Sequence, residues 1–254
     1  MTTELILLCV VAFVAGFVDA IAGGGGLIQL PLGIVLLPQH PVATVIGTLK
    51  IPAFSGTSIA ALSYARKVKL NHAQLIAMAF VAFCAAYAGS TLLSMVSNAF
   101  MKPLLLFVLI AVAIYTYSNK KFGIHVHKAH SGIEQWLYAI VISLVIGFYD
   151  GFIGPGAGSF LMLAFISMLG FDFLKASANA KFVNMATNLG SIVFFMAKGK
   201  IIYSIALPMA LCNALGGALG AQLAIFKGNR FIRTFFLVIV CLTILRFAYD
   251  VFLN

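Results

Sequence analysis

The sequence predicts an all-α protein that crosses a membrane several times. Of its 254 residues, 63% are hydrophobic and 9% are charged, whereas soluble domains carry about 25% charged residues. The apolar runs are long and unbroken, without the ten-residue alternation that is typical of outer-membrane β-barrels. Glycine, aspartate and lysine positions also recur at a constant offset along the chain. Together these observations predict about eight to ten helical segments in two homologous halves.

The apolar runs place the helical segments of the first half. The longer runs cover about 4–22, 42–64, 72–97 and 102–118. The run at 27–37 is too short to cross roughly 30 Å of hydrocarbon at 1.5 Å per residue, so it predicts a half-helix, a re-entrant segment or half of a broken span. The one long polar stretch, 119–133, is predicted to link a first membrane repeat at 1–118 to a second at 134–254.

A Gly-Phe-x-Asp motif followed by a glycine run occurs at 16–26 and again at 147–158. Asp19 matches Asp150 at an offset of 131 residues (150 − 19 = 131), and Lys50 matches Lys181 in the same ungapped register. This pattern predicts a tandem duplication. The halves are inverted if both pieces of each broken span count as crossings, and parallel if the short piece is re-entrant. The inverted arrangement places a larger share of the loop lysines and arginines on one side of the membrane than the parallel arrangement does. The loop charges therefore favour inversion.

The glycine runs are the first candidate binding elements. Glycine lets a helix unwind, and unwound backbone at membrane depth is tolerated only where it is buried in protein or lines a cavity. The half-helix that follows would point free N–H groups at an anion, and paired broken helices indicate a transporter's binding site. Tight helix packing through small residues is the alternative. The predicted backbone contacts are Gly23, Gly24, Gly25 and Gly26 in the first half and Gly154, Gly156 and Gly158 in the second.

Asp19 and Asp150 are the acids deep inside predicted spans, where each costs about 2.5–3.5 kcal/mol on insertion scales. They are predicted to carry a coupling proton or to pair with the buried lysines, and a structural cap on the glycine breaks is the alternative. A carboxyl that is buried without compensation takes up a proton more readily. The sequence suggests that Asp150 is held charged near Lys181, which leaves Asp19 as the better candidate for the proton carrier.

The buried lysines and their polar neighbours are the remaining candidates. Lys181, Asn184 and Asn188 fall on one face of a helix, and Lys50 and Thr57 lie on the corresponding stripe of the first half. An ammonium that faces a cavity would attract an anion, so all five residues are predicted to contact the substrate. Polar side chains that hold neighbouring helices together are the alternative.

The two Gly-Phe-x-Asp-x-x-x-Gly motifs, the duplication and the length resemble the sulfite exporter TauE/SafE family. This family is also called the toluenesulfonate uptake permease family, and the chain is similar to its YfcA-like membrane proteins over its whole length. The resemblance implies movement of small sulfur-containing anions or organic acids, such as sulfite and sulfonates, across a bacterial inner membrane. It also implies coupling to an ion gradient rather than to ATP. Pro155 stands where the first glycine run has Gly24, so the two sites are not expected to be equivalent.

These features predict a multi-pass secondary transporter for a small anion, coupled to protons or sodium ions. An anion or proton channel of the same architecture is the main alternative. An intramembrane enzyme is not expected, because the spans lack a Ser/His/Asp set, a His-Glu-x-x-His motif or a carboxylate pair. An assembly factor would not need matched buried Asp and Lys residues. No cofactor, metal or nucleic acid is expected; the partners would be the substrate, the lipid bilayer and, as an open option, further copies of the chain.

Overall fold

The computed structural model describes residues 2–97 and 132–252, with the backbone alone for Thr2, 236–237 and 239–252. Within those residues the chain forms eight α-helices and no β-strand. The predicted span at 102–118 and the linker prediction at 119–131 lie outside the described residues. The helices are α1 (Thr2–Ala22), α2 (Gly25–Leu36), α3 (Val42–Ala65), α4 (His72–Met95), α5 (Ile133–Phe152), α6 (Ala157–Leu169), α7 (Phe173–Ala197) and α8 (Tyr203–Phe252).

Five of these helices are long and apolar enough to cross a membrane: α1, α3, α4, α5 and the part of α8 up to Phe235. The 25-residue α7 is long enough, but its buried Asn and Lys side chains make it more polar than the other long helices. Helices α2 and α6 are short, with 12 and 13 residues. The prediction of a polytopic all-α protein with one short segment near each glycine run is therefore confirmed.

The helical conformation is interrupted between α1 and α2, and again between α5 and α6. Gly23 has a φ of 76° at the first break, while Gly154 and Gly156 have φ of 96° and 79° at the second. Only glycine adopts such angles without steric cost, because other residues would bring Cβ against the following carbonyl. The glycine runs therefore interrupt the helices, as the sequence predicted.

Two hydrophobic clusters lie at opposite ends of the long helices. The first cluster contains Tyr64, Phe165 and Phe171, and the second contains Val42 and Phe195, each with further residues. Helix α3 begins in the second cluster and ends in the first, whereas α7 begins in the first and ends in the second. These two helices occupy matching positions of the predicted repeat, so their opposite directions favour the inverted arrangement. The duplication and its inversion stay predictions.

The helices pack into two bundles, and each bundle contains one helix from the other half of the sequence. Helix α8 packs along α1 and α3, while α4 packs along α5 and α7. We call α1, α2, α3 and α8 the first bundle, and α4, α5, α6 and α7 the second bundle. They meet chiefly where α3 contacts α7.

Four glycines outside the two breaks serve helix packing. A Cβ at Gly16 would overlap the backbone oxygen of Asn213, and one at Gly89 or Gly220 would overlap a backbone oxygen of the neighbouring helix. At Gly147 a Cβ would lie 3.0 Å from the Cα of Ala82. Small residues let the helix backbones approach closely, so packing accounts for these four positions.

Candidate functional site

The two glycine breaks touch each other in the interior of the protein. A Cβ added at Gly23 would overlap the backbone of Gly158, and one at Gly26 would lie 3.4 Å from the Cα of Pro155. Beside this contact lies a cavity of about 70 Å³. A water molecule needs about 10–15 Å³ of such volume, so the cavity has room for several waters or one small ion.

Most of the residues predicted for the site line this cavity. Thr57, two of the three asparagines of α7 and both glycine breaks are among them. The predicted residues in the lining are Asp19, Gly23, Gly25, Gly26, Lys50, Thr57, Asp150, Gly154, Gly156, Gly158, Asn184 and Asn188. Gly24 and Lys181 do not line it, although both lie beside residues that do.

The Lys50 ammonium, on α3, is bound to Asp150 at the end of α5. Lys50 Nζ donates to Asp150 Oδ1 at 3.0 Å and to the Asp150 main-chain oxygen at 2.7 Å. The Thr187 hydroxyl donates to the second carboxylate oxygen, Oδ2. The Lys50 and Asp150 side chains are only 8% and 5% exposed. Although both residues line the cavity, this pair between the two halves is therefore almost fully buried, and we call it the enclosed pair.

The Lys181 ammonium, on α7, is bound in the same way to Asp19 at the end of α1. Lys181 Nζ lies 2.8 Å from Asp19 Oδ2 and also donates to the Asp19 main-chain oxygen. The other carboxylate oxygen, Oδ1, accepts the N–H of Gly25 at 3.3 Å. Lys181 is 2% exposed, but the Asp19 side chain is 17% exposed. This second pair is therefore open to the cavity on its acid side.

The lysines pair in a crossed pattern that the sequence did not predict. Asp150 was expected near Lys181, but it is bound to Lys50, and Lys181 is bound to Asp19. The sequence register reveals equivalent positions but not which side chains meet across the halves. Both ammonium groups are held by a carboxylate and a helix-end carbonyl, an arrangement that also opposes the negative end of the helix dipole.

Side chains and neighbouring backbone groups donate hydrogen bonds to the carbonyl oxygens that lose their helical partners at the breaks. The Tyr64 hydroxyl donates to the Ala20 oxygen at 3.0 Å, and the Tyr149 hydroxyl donates to the Pro155 oxygen at 2.6 Å. Ser159 donates its N–H to Gly23 at 3.0 Å and its hydroxyl to Ala22 at 2.8 Å. Non-helical backbone at membrane depth requires such partners, because lipid offers none.

The start of α6 keeps donors that face the cavity. The N–H groups of Gly156 and Gly158 have no acceptor within the described part of the chain. Asn188 Nδ2 donates to Asn184 Oδ1 at 2.9 Å, which leaves the Asn184 NH2 group turned towards Gly158. Asn184 is 7% exposed, and no described residue accepts from its Nδ2. These backbone and amide donors, with the positive end of the α6 dipole, suit an anion.

Two buried amides in the lining were missed from the sequence. Asn213 Nδ2 donates to Gln29 Oε1 at 3.0 Å, and Gln29 Nε2 donates to the Leu49 oxygen at 3.2 Å. Gln29 is the one strongly polar side chain of α2, and Asn213 lies in the apolar run of α8. A lone amide in an apolar run was the available signal, since such groups mark cavities or helix contacts. Among the described residues no group of three or more His, Cys, Asp or Glu could hold a metal ion.

Comparisons with known proteins agree with this architecture. The family model described as "Sulfite exporter TauE/SafE" matches residues 8–247. The chain is 36% identical to "Probable membrane transporter protein ORF9" of Sinorhizobium sp., covering 97% of this chain and 93% of the relative. A probable membrane transporter protein of Haemophilus influenzae is 35% identical over 96% of this chain and 94% of its own.

Escherichia coli K12 has a further relative, "Probable membrane transporter protein YfcA", which is 32% identical over 94% of this chain and 88% of its own length. No solved structure matches the chain significantly. The family match covers nearly the whole chain, and so does each of these alignments. The chain therefore belongs to the sulfite exporter TauE/SafE family of membrane transporters.

Proposed function

We propose that this transporter is a secondary transporter that moves a small anion across the bacterial inner membrane, driven by an ion gradient. The substrate class is sulfite, an organosulfonate or a related organic acid. Gly154, Gly156 and Gly158 supply backbone contacts, and Asn184 and Asn188 supply side-chain donors. Gly23–Gly26, Lys50, Thr57 and Lys181 complete the site, with the lysines acting through the acids they hold.

The observation that carries this proposal is the set of donors at the start of α6. Two glycine amides and one asparagine amide have no described acceptor and lie at a cavity beside a helix N-terminus. The three charged side chains that line the cavity, with Lys181 beside it, cancel in two ion pairs. An anion would therefore be held by dipoles and hydrogen bonds rather than by a free cation, which permits binding without preventing release.

Asp19 is the residue we propose for ion coupling, with Asp150 as its enclosed counterpart. A coupling proton, or a sodium ion in its place, must reach the carboxylate from the cavity. The Asp19 side chain is 17% exposed, whereas that of Asp150 is 5% exposed and also accepts the Thr187 hydroxyl. The greater exposure of its side chain therefore favours Asp19 over Asp150 as the residue that binds the coupling ion, which agrees with the expectation from the sequence.

Uptake by purified protein in liposomes would test the proposal. We expect labelled sulfite, a short organosulfonate or a short organic acid to accumulate when a proton or sodium gradient is imposed, with a rate that saturates. Collapse of that gradient by an ionophore should abolish accumulation and leave exchange intact. Flux that follows the anion's own gradient without saturating would instead indicate the channel alternative. Absence of any flux for all three substrate types would overturn the proposed substrate class.

A matched variant pair would place the site within the protein. Asn184→Ala removes a donor from the cavity, and Asn71→Ala removes the side-chain cap of α4, which accepts the Gln74 N–H away from the cavity. We expect Asn184→Ala to weaken binding about tenfold, in line with loss of one hydrogen bond to a charged group, and Asn71→Ala to leave affinity unchanged. Equal affinities would contradict this site.

A further inference from the structure

The two half-helices begin in different electrostatic surroundings. At the start of α2, the Gly25 N–H already donates to a carboxylate, Oδ1 of Asp19. At the start of α6, the amides of Gly156 and Gly158 have no acceptor among the described residues. Gly25 and Gly156 are matching positions at the offset of 131 (156 − 25 = 131). One helix start therefore has a carboxylate on one of its N–H donors, and the other helix start has no described anionic group on its donors.

A single sequence difference accounts for this asymmetry. Asp150 could in principle turn to Gly156 as Asp19 turns to Gly25, but its Oδ2 accepts the Thr187 hydroxyl instead. The position that matches Thr187 in the first half is Gly56 (187 − 131 = 56), which has no hydroxyl. A Cβ there would overlap Asn213 Oδ1, so the site has no room for a threonine. Asp19 is left with Gly25 as the second donor to its carboxylate.

The surroundings of the Asp19 carboxylate are those of a bound anion. It lines the cavity, it is 17% exposed, and it contacts both an ammonium and a helix-start N–H. The starts of α2 and α6 lie close together, since a Cβ at Gly26 would be 3.8 Å from the Gly156 nitrogen. Two free anions at this separation would repel each other strongly in a poorly hydrated cavity.

We propose that the Asp19 carboxylate is a tethered anion that fills the first of two anion positions, so that one free anion binds, at the start of α6. This rests on the proposed function, because it assumes that the open position takes the transported anion. Removal of the tethered carboxylate should create a vacancy for a small free carboxylate. This vacancy is the space that the Asp19 side chain leaves, and Lys181 and Gly25 would form its walls.

Chemical rescue with formate tests this inference without any transport assay. Asp19→Ala removes the carboxylate and leaves a space that formate, the smallest carboxylate, can fill. We expect formate at about ten times its dissociation constant to raise the Tm of purified Asp19→Ala protein by about 3 °C over sodium chloride of equal ionic strength. Wild-type protein should show a clearly smaller rise, because its vacancy is already filled.

Two control variants separate rescue from a general effect of formate. Asp19→Asn keeps the side-chain volume, so it leaves no vacancy and should respond to formate no more than wild-type protein does. Asp172→Ala removes an exposed aspartate that caps α7 by accepting the Lys175 N–H, and it should lose stability while responding to formate no more than wild-type protein does. If Asp19→Ala folds only when formate is present during purification, that is the same rescue at the level of folding.

An equal formate response in Asp19→Ala and in either control would overturn the inference. The inference would also be overturned if Asp19→Ala protein does not fold in either the presence or the absence of formate. Because formate binding is read from stability, a wild-type protein that transports none of the tested anions would contradict the proposed function and leave this result standing.

Discussion

The two crossed ion pairs share their sequence positions but not their surroundings. In the pair of Lys50 and Asp150 both side chains are under 10% exposed, at 8% and 5%, and Thr187 holds the remaining carboxylate oxygen. In the pair of Lys181 and Asp19 the acid is 17% exposed and turns to a backbone N–H beside the cavity. Residues at matching positions therefore differ in their surroundings: one pair is almost fully buried between the halves, and the acid of the other pair stays partly exposed.

Removal of each lysine should give the largest effect and separate the pairs. Lys50→Met leaves the Asp150 carboxylate buried without a cation, so the free energy of unfolding should fall by about 3–5 kcal/mol. Lys181→Met leaves an acid that is partly exposed, and the loss should be smaller. Unfolding in detergent, followed by tryptophan fluorescence or loss of a gel-filtration peak, would measure both.

The exposed loop residue Lys67 provides the control for these lysine variants. Lys67→Met should change the free energy of unfolding by less than about 0.5 kcal/mol, as is usual for surface substitutions. If Lys50→Met and Lys181→Met lose equal stability, the division between an enclosed and an accessible pair is wrong.

The two helix starts can be compared by alanine substitution. Gly156 precedes α6 with a φ of 79°, whereas Gly24 precedes α2 with a φ of −97°. Gly156→Ala should therefore cost about 1–3 kcal/mol of stability, while Gly24→Ala should cost less, because alanine adopts a negative φ without strain. Gly156→Leu should in addition abolish transport while the protein still inserts, because its side chain would enter the space next to Leu27.

Thermal unfolding and uptake of the three glycine variants would test this expectation. Similar stabilities for Gly156→Ala and Gly24→Ala would mean that the second break relaxes around the new side chain. Wild-type transport by Gly156→Leu would reassign these glycines to helix packing.

Asp19 and Asp150 can be compared by how each affects the coupling of anion uptake to a proton gradient. One proton per anion and a gradient of one pH unit give about tenfold accumulation, since about 1.4 kcal/mol corresponds to a factor of ten. Asp19→Asn should lower this accumulation to about onefold while anion exchange continues. Asp150→Asn should reduce binding and exchange together, because it disturbs the enclosed pair. Proton-driven uptake and counterflow, measured on the same liposomes, distinguish the two results, and full accumulation by Asp19→Asn would refute its assignment.

The smallest effect is expected from two cysteines that report orientation without changing stability. Lys67 and Lys198 are exposed and occupy matching positions at the offset of 131 (198 − 67 = 131). In the inverted arrangement, Lys67→Cys and Lys198→Cys should be labelled by an impermeant thiol reagent from opposite sides of the membrane. The native cysteines would be removed first. Labelling from the same side would exclude inversion.

Much of the fold could be predicted because membrane helices depend on local properties. The apolar run at 27–37 was short in the sequence, and α2 has 12 residues. The glycine runs were expected to break helices because few other residues tolerate positive φ, and both breaks occur where predicted. The predicted polar stripe of α7 also lies at the cavity, except that Lys181 faces Asp19 instead.

The unpredicted part of the site depends on contacts between distant segments. Lys50 and Asp150 are separated by 100 residues, and Lys181 and Asp19 by 162. No periodicity within one helix specifies which of two acids each lysine meets. Gln29 and Asn213, 184 residues apart, are bound to each other and were each a lone amide in an apolar run. Their pairing could be recognised only once α2 and α8 were placed side by side.

The exchange of α4 and α8 between the bundles has a consequence for biosynthesis. The second bundle has all its described helices once α7 has been made, but the first bundle must wait for α8, which begins at Tyr203. At about 5–20 residues per second, α3 is complete on the order of ten seconds before α8 emerges. During that interval the faces of α1 and α3 that pack on α8 are without that helix. A chaperone or the insertion machinery could shield them, and a chain truncated before Tyr203 should be degraded even though most of the cavity lining has been synthesised.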